Sequence, residues 1–225
     1  MSTPPLSTTP TPASSSSPFP FPPEYSFPPF FTRQTNLTTH HAQLTKWSAL
    51  VLAYARHHRI LKLSLSPNSP ATSTRMPPKD DDQAKQEIDT SELFHNARLN
   101  RQLAARDVRA VIDFLRKDGR AEYVAGTSSA GTDGEGSGSG GEGDMAWVYW
   151  RTPEEWAALV EGWVDATGQK GSVLTVYELV EGEGTKGAEF HGLDQELLLK
   201  ALGVLVKRGK AQVFGQEDSQ GVKFF

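Results

Sequence analysis

Side chains whose type and spacing could carry chemistry are few in this chain. None of its 225 residues is a cysteine. That excludes a thiol nucleophile, a Cys-ligated zinc and a disulfide framework, and it suits a reducing compartment. The six histidines include the adjacent pairs His40-His41 and His57-His58. Neighbouring residues on a helix point about 100° apart, so neither pair converges on one ion. His191, in Glu189-Phe190-His191-Gly192, precedes a helix for which Asp194 is a natural N-cap, and it belongs to a loop before it belongs to a catalytic site. The run Gly136–Gly141 spells G-x-G-x-x-G. A dinucleotide site needs a strand before those glycines and a helix after them. Here a strand pattern follows and the surroundings are anionic. With no nucleophile, metal cluster or paired carboxylates, the chain is read as non-enzymatic, with no cofactor and no metal.

The chemistry that does stand out is that of binding. Phe19–Phe31 reads Phe-Pro-Phe-Pro-Pro-Glu-Tyr-Ser-Phe-Pro-Pro-Phe-Phe. It contains two Pro-Pro-x-aromatic units, Pro22-Pro23-Glu24-Tyr25 and Pro28-Pro29-Phe30-Phe31, with Phe27 between them. Proline fixes φ and so lowers the entropy lost on binding, while the rings offer apolar area to a groove. So many rings on a segment that cannot fold alone must be buried by something. They can pack on the first domain of the same chain or dock on a partner, and docking is favoured. Pro22–Tyr25 also satisfies the pattern bound by WW domains.

The elements that must position this segment follow from composition and periodicity. Residues 1–26 are nearly all Pro, Ser, Thr and Phe and are expected to be a disordered, extended or PPII-like tail. Residues 36–65 repeat apolar positions at helical spacing (Leu44, Trp47, Leu50, Val51, Tyr54), with Asn36 or Thr38 as cap. Residues 66–89, with four prolines and Asp80-Asp81-Asp82, read as a disordered insertion. Residues 91–118 resume as helix up to a stop at Gly119. Two strands, 120–125 and 146–151, face each other across a flexible Gly/Ser/Glu linker at 126–144. Pro153 opens the next helix, where its missing N–H costs nothing.

The arrangement occurs twice. Lys46-Trp47-Ser48-Ala49-Leu50-Val51 parallels Glu155-Trp156-Ala157-Ala158-Leu159-Val160. Leu103, Val108, Ile112, Leu115, Lys117, Gly119 and Ala121 parallel Leu193, Leu198, Leu202, Leu205, Lys207, Gly209 and Ala211. The second copy closes with a strand at 211–214, a turn near 219–221 and a terminal strand at 222–225. Each copy reads helix, short element, helix, strand, turn, strand. A lone hairpin is only marginally stable, so this wing must pack on the helices. The expected fold is α+β: two tandem winged-helix domains, 27–151 and 152–225, behind the Pro/aromatic segment.

A winged helix raises nucleic-acid binding as an alternative. Residues 33–125 are net basic, but the linker and the second domain are net acidic. Asp194 and Glu196 stand where the last helix would approach a groove, facing phosphate repulsion. No nucleic-acid partner is expected. The first residues lack the basic and apolar regions of a secretory signal and no apolar run is long enough to span a bilayer, so the chain is read as soluble and cytoplasmic.

Several stretches are distinctive together: Tyr25–Gln34, Pro153-Glu154-Glu155-Trp156, Leu174–Leu179, Glu189–Gly192 and Gly221–Phe225. On them the sequence resembles the vacuolar protein-sorting-associated protein 25 family, the small subunit of the ESCRT-II endosomal sorting complex. The resemblance implies a non-catalytic subunit, two copies per complex, docked on two larger winged-helix subunits. In the family, Pro-Pro-x-Tyr motifs hold that contact. The role carries over to Pro22, Pro23 and Tyr25 and to Pro28, Pro29 and Phe31. The second motif ends in Phe31, so a bond needing a tyrosine hydroxyl is in doubt there while ring burial is not. The resemblance also implies that residues 153–225 recruit and activate an ESCRT-III subunit, in sorting ubiquitinated cargo into multivesicular bodies. The membrane is then met only indirectly, by recruitment to the endosome.

Overall fold

The structure, a computed structural model, describes residues 18–65, 72–76, 87–124, 145–215 and 220–225. Helix α1 (Leu37–His58) starts where the Asn36 side chain accepts from the amides of Thr38 and Thr39. It stops earlier than the apolar spacing predicts. Arg59 takes a left-handed conformation, φ 56°, and Ile60–Ser64 leaves as strand β1. Ile-Leu-Lys-Leu-Ser suits a half-buried strand as well as a helix, and its partners decide the matter. The expected disordered insertion is also corrected. Thr72–Arg75 (β2) and Glu87–Asp89 (β3) are strands that extend the sheet from the free edge of β1. Apart from these strands and Met76, residues 66–89, including the four prolines and Asp80–Asp82, lie outside the described ones, as does the 126–144 linker with Gly136–Gly141.

The helix expected over 91–118 is broken. A short α2 (Ser91–Phe94) leads into a tight hairpin, β4 (His95–Asn96) and β5 (Arg101–Gln102), turned at Asn100 with φ 48°. Helix α3 (Ala105–Lys117) follows, with Val108, Val111, Ile112 and Leu115 on its buried face. Gly119 ends it at φ 67°, a conformation that strains any residue with a Cβ. Strands β6 (Ala121–Tyr123) and β7 (Met145–Val148) close the first unit, in a sheet ordered β3-β2-β1-β7-β6.

The second unit opens with α4 (Pro153–Thr167). Thr152 and Glu155 form a reciprocal capping box, Pro153 sits in the first turn, and Gly168 ends the helix in the left-handed region. Strand β8 (Val173–Thr175), helices α5 (Val176–Glu181) and α6 (Gln195–Lys207), and strands β9 (Ala211–Phe214) and β10 (Gly221–Phe224) complete it. Its sheet runs β8-β10-β9, the same path as β1-β7-β6. The repeat extends to single hydrogen bonds. Arg120 N donates to Leu115 O at 2.8 Å, as Lys210 N does to Leu205 O at 2.9 Å. Gly119 and Gly209 have φ of 67° and 68°. Two winged helices stand in tandem.

Each unit has an apolar core, but the division is not at the chain boundary. Trp47, Val51, Tyr54, Ile60 and Ile112 lie in the first core. The second, around Trp156, Leu179, Phe190, Leu198 and Leu202, also takes in Leu61, Met76, Trp147 and Tyr149 from the first unit.

Candidate docking surface

The Pro/aromatic segment does not run as an extended tail from residue 18 onward. It folds into two consecutive 3-10 turns, Pro23–Ser26 and Pro28–Phe31. In each the leading proline presets φ at a position where its absent N–H is not needed. Tyr25 N bonds Pro22 O at 2.9 Å, and Thr32 N bonds Pro29 O at 3.1 Å. Three of the expected binding residues turn inward: Tyr25, Phe30 and Phe31 are only 7, 6 and 5 % exposed. Phe30 stacks on Trp47 with ring centroids 4.4 Å apart and planes 5° from parallel. Phe31 meets Tyr25 and Trp47 edge-on. Phe21 stacks on Tyr25 at 4.0 Å.

Polar groups of the first unit then fix the backbone between the rings. Trp47 Nε1 donates to Phe30 O at 3.0 Å, and Gln43 Nε2 to Phe30 O at 2.8 Å and Thr32 O at 2.9 Å. Asn96 Nδ2 donates to Tyr25 O at 2.8 Å, and the Tyr25 hydroxyl donates to Glu92 O. Burial pushes the Tyr25 phenol above its ordinary range, helped by the Glu92 carboxylate. Lys46 Nζ holds Glu24 at 2.8 Å, and that bond keeps the Glu24 carboxyl below its usual value. Sequence reasoning missed these anchors. Gln43 carries the clearest signal, a polar amide one turn before Trp47 on the buried stripe, where it must find partners.

The other expected residues form the outward edge. Pro23, Pro28 and Pro29 are exposed, Pro22 is half-buried, and Phe27 is 60 % exposed. Two shallow depressions flank this edge. One, of about 200 Å³, lies among Phe27, Pro29, Gln34, Gln43 and Lys46. The other, of about 410 Å³, lies among Phe19, Pro20, Pro22, Lys46 and Leu50. The arrangement can bind an apolar knob or edge; it offers nothing to a reaction. Among the described residues no cluster of histidines and carboxylates could hold a metal ion, and no helix is long and apolar enough to cross a membrane.

A second constellation joins the units. Lys200 of α6 bonds Glu122 at 2.8 Å and the Tyr149 hydroxyl at 3.2 Å, and lies over the Trp147 ring. Lys62 covers that ring from 4.2 Å and pairs with Asp194 at 3.4 Å and Glu196 at 3.5 Å. Arg151 grips Glu189 through both carboxylate oxygens, at 2.8 Å each, and Arg120 reaches Glu155 at 3.1 Å. Desolvation raises the Glu122 carboxyl, but the bonds from Lys200 and Tyr149 outweigh it and leave it below its ordinary value. The first turns of α6 are therefore spent against the first unit.

A family model, described as "ESCRT-II complex subunit", matches residues 24–194, from the first Pro-Pro-x-aromatic unit to the cap of α6. The chain belongs to the ESCRT-II complex subunit family. This is a non-enzymatic family. Vacuolar protein-sorting-associated protein 25 of Xenopus laevis is 35 % identical over 204 residues, 91 % of this chain and 97 % of that protein. The Homo sapiens protein is 36 % identical over 91 % and 96 %, and the Dictyostelium discoideum protein 34 % over 91 % and 95 %. Solved ESCRT-II structures share the fold. A crystal structure of the VPS25 subunit aligns with TM-score 0.68 at 24 % identity, covering 90 % of this chain and 97 % of that one. The corresponding chain of the endosomal complex ESCRT-II (VPS22/VPS25/VPS36) aligns with TM-score 0.68 at 25 % identity, over 91 % and 98 %.

Proposed function

We propose that this chain is the small arm subunit of an ESCRT-II complex, present in two copies, that docks on two larger winged-helix subunits through its Pro-Pro-x-aromatic motifs. These motifs stand at the front of the first winged-helix domain, residues 27–151. Residues 152–225 recruit and activate an ESCRT-III subunit in sorting ubiquitinated cargo into multivesicular bodies. The chain is cytoplasmic and reaches the endosomal membrane through the assembled complex. The related complex solved with VPS22 and VPS36 supports the choice of partners.

The observation that carries the docking role is the division of labour within Pro22–Phe31. Tyr25, Phe30 and Phe31 anchor the segment on its own domain, which leaves Pro23, Phe27, Pro28 and Pro29 as an apolar edge held in one conformation. A rigid apolar edge loses little entropy when a partner covers it. The same anchoring counts against a WW-domain ligand, because Tyr25 is not free to enter a second groove. Nucleic-acid binding by α6 would require its N-terminal turns free, and Glu196 and Lys200 hold those turns to Lys62 and Glu122.

Deleting residues 1–31 is a poor test, since it removes three core rings. Phe27→Asp changes only the exposed edge. On co-expression with both larger subunits, the variant should keep its melting temperature and lose entry into the complex. Wild-type incorporation of a folded Phe27→Asp chain would refute docking through this edge.

A further inference from the structure

The front of the Pro/aromatic segment is held to α1 by one ring. Phe19 meets Phe21, Tyr54 and His57 edge-on, with centroids 5.0, 5.1 and 5.4 Å away. Pro18 before it is exposed. Ser17 comes next towards the N-terminus and directly precedes the described residues. Covalent geometry keeps the Cα of Ser17 within about 7 Å of the Cα of Phe19. The last turn of α1 therefore lies within reach of whatever Ser17 carries.

A depression of about 570 Å³ opens at that point, among Phe19, Pro20, Ala53, Arg56, His57 and Trp150. Two basic side chains line it and no carboxylate does. Other cations along this helix are committed elsewhere: Lys46 holds Glu24 at 2.8 Å, and Arg59 donates to Glu189 O at 3.3 Å across the joint. Arg56 is exposed and, among the described residues, makes no ion pair. Basic residues at a helix C-terminus offset its dipole, which accounts for their charge but not for the apolar rings gathered beside them. The site fits an anion delivered on a proline/aromatic chain.

Ser17-Pro18 is the last of four Ser/Thr-Pro pairs in the first 18 residues, after Thr3-Pro4, Thr9-Pro10 and Thr11-Pro12. The family model begins beyond all four, at residue 24. A proline fixes its own φ and holds the residue before it extended, the form in which proline-directed protein kinases accept a hydroxyl. We propose that Ser17 is a phosphorylation site for such a kinase, and that Arg56 and His57 receive its phosphate within the same chain. ATP supplies the group: the Ser17 Oγ attacks the γ-phosphorus, the bond to the β,γ-bridging oxygen breaks, ADP leaves, and the hydroxyl proton passes to the kinase's base. The product carries a charge of about −1.5 to −2 and three acceptor oxygens. Arg56 presents a planar fork of donors to them and His57 one more. The phosphate adds an ionic tie to the front of the segment, where Phe19 and Phe21 are only half-buried.

The test begins with full-length chain, ATP and two proline-directed enzymes used separately, a cyclin-dependent kinase and a mitogen-activated kinase. Peptide mass spectrometry should find phosphate on Ser17, and a Ser17 left unmodified by both overturns the site. Capture is measured on full-length chain with phosphoserine installed at 17 during translation. A phosphatase should release that phosphate about three- to tenfold more slowly than from the same chain carrying Arg56→Gln, as expected for a half-exposed charge-assisted contact. His57→Gln should speed release less. Phosphothreonine at 11 should be released at one rate from wild type and Arg56→Gln. Equal rates for phosphoserine 17 in wild type and Arg56→Gln overturn the capture. The source of the anion is separated by NMR of the His57 imidazole: phosphoserine at 17 should shift its signals, and millimolar inorganic phosphate added to unmodified chain should not. An equal shift with inorganic phosphate would make the depression a general anion site and overturn its assignment to Ser17.

Discussion

Trp47 and Phe30 are joined twice: their rings stack at 4.4 Å, and the Trp47 indole N–H donates to the Phe30 carbonyl at 3.0 Å. The repeat places Trp156 at the position of Trp47 in the second unit. Its Nε1 is buried without a hydrogen-bond partner among the described residues, and its ring meets Trp150 edge-on at 5.2 Å. The Pro/aromatic segment thus supplies the first unit with an acceptor that the second lacks. Trp47→Phe and Trp156→Phe remove similar volume, but the first breaks a hydrogen bond and the second relieves an unpaired donor. Trp47→Phe should be the more destabilising by about 1–3 kcal/mol. Chemical denaturation of the two variants measures the difference, and equal losses would count against it.

Tyr25 and Phe31 occupy equivalent places in the two motifs, yet only Tyr25 has a polar group to satisfy. Its hydroxyl donates to Glu92 O, while Phe31 is enclosed by Tyr25 and Trp47. Tyr25→Phe should cost about 1 kcal/mol through the lost bond, with ring burial intact. Phe31→Tyr would bury a hydroxyl among rings and should cost about 1–3 kcal/mol. Restoring the second Pro-Pro-x-Tyr motif is therefore expected to harm this chain, and thermal melts of both variants check it.

Glu122 links the units through Lys200 and Tyr149, and its carboxyl lies below the ordinary value of 4.5. A folded-state value below the unfolded one contributes stability at neutral pH that is lost as pH falls through the lowered value. Glu122→Gln should be less stable than wild type at pH 7 by under about 1 kcal/mol, since the pair is half-exposed. The gap should close as the pH falls through that lowered value. A gap that widened on acidification would mean that the ion pair is not what Glu122 contributes.

What the residues disclosed, and what they hid, follow from where each element finds its partners. The repeat was legible because glycine stops, tryptophans and amphipathic helices carry their own local signals: Gly119 and Gly209 end α3 and α6 at nearly the same φ. Strand β1 is hidden within a helical pattern because Ile60–Ser64 satisfies both periods and only pairing with β2 and β7 decides. Strands β2 and β3 were hidden by the prolines and acids around them. In the docking segment, composition identified the residues but not their division, since burial of Tyr25, Phe30 and Phe31 depends on Gln43, Trp47 and Asn96 lying far away in sequence.

The joint between the units, centred on Trp147, should make the tandem melt as one body. The Trp147 ring belongs to the second core although its strand belongs to the first sheet, and Lys62 and Lys200 lie over it. A side chain shared in this way couples the unfolding of both units, because neither can open without exposing it. Trp147→Ala removes the ring from Tyr149, Lys62, Lys200 and the second core, a loss of about 3–5 kcal/mol for a buried aromatic. That is comparable to much of the net stability of a small domain, so the coupling should fail before either fold does. Wild type should unfold in a single calorimetric transition and Trp147→Ala in two. Hydrogen exchange should speed up first in β7 and in the early turns of α6. A single, merely lower transition in the variant would mean that Glu189, Arg151 and the remaining ion pairs suffice to hold the units together.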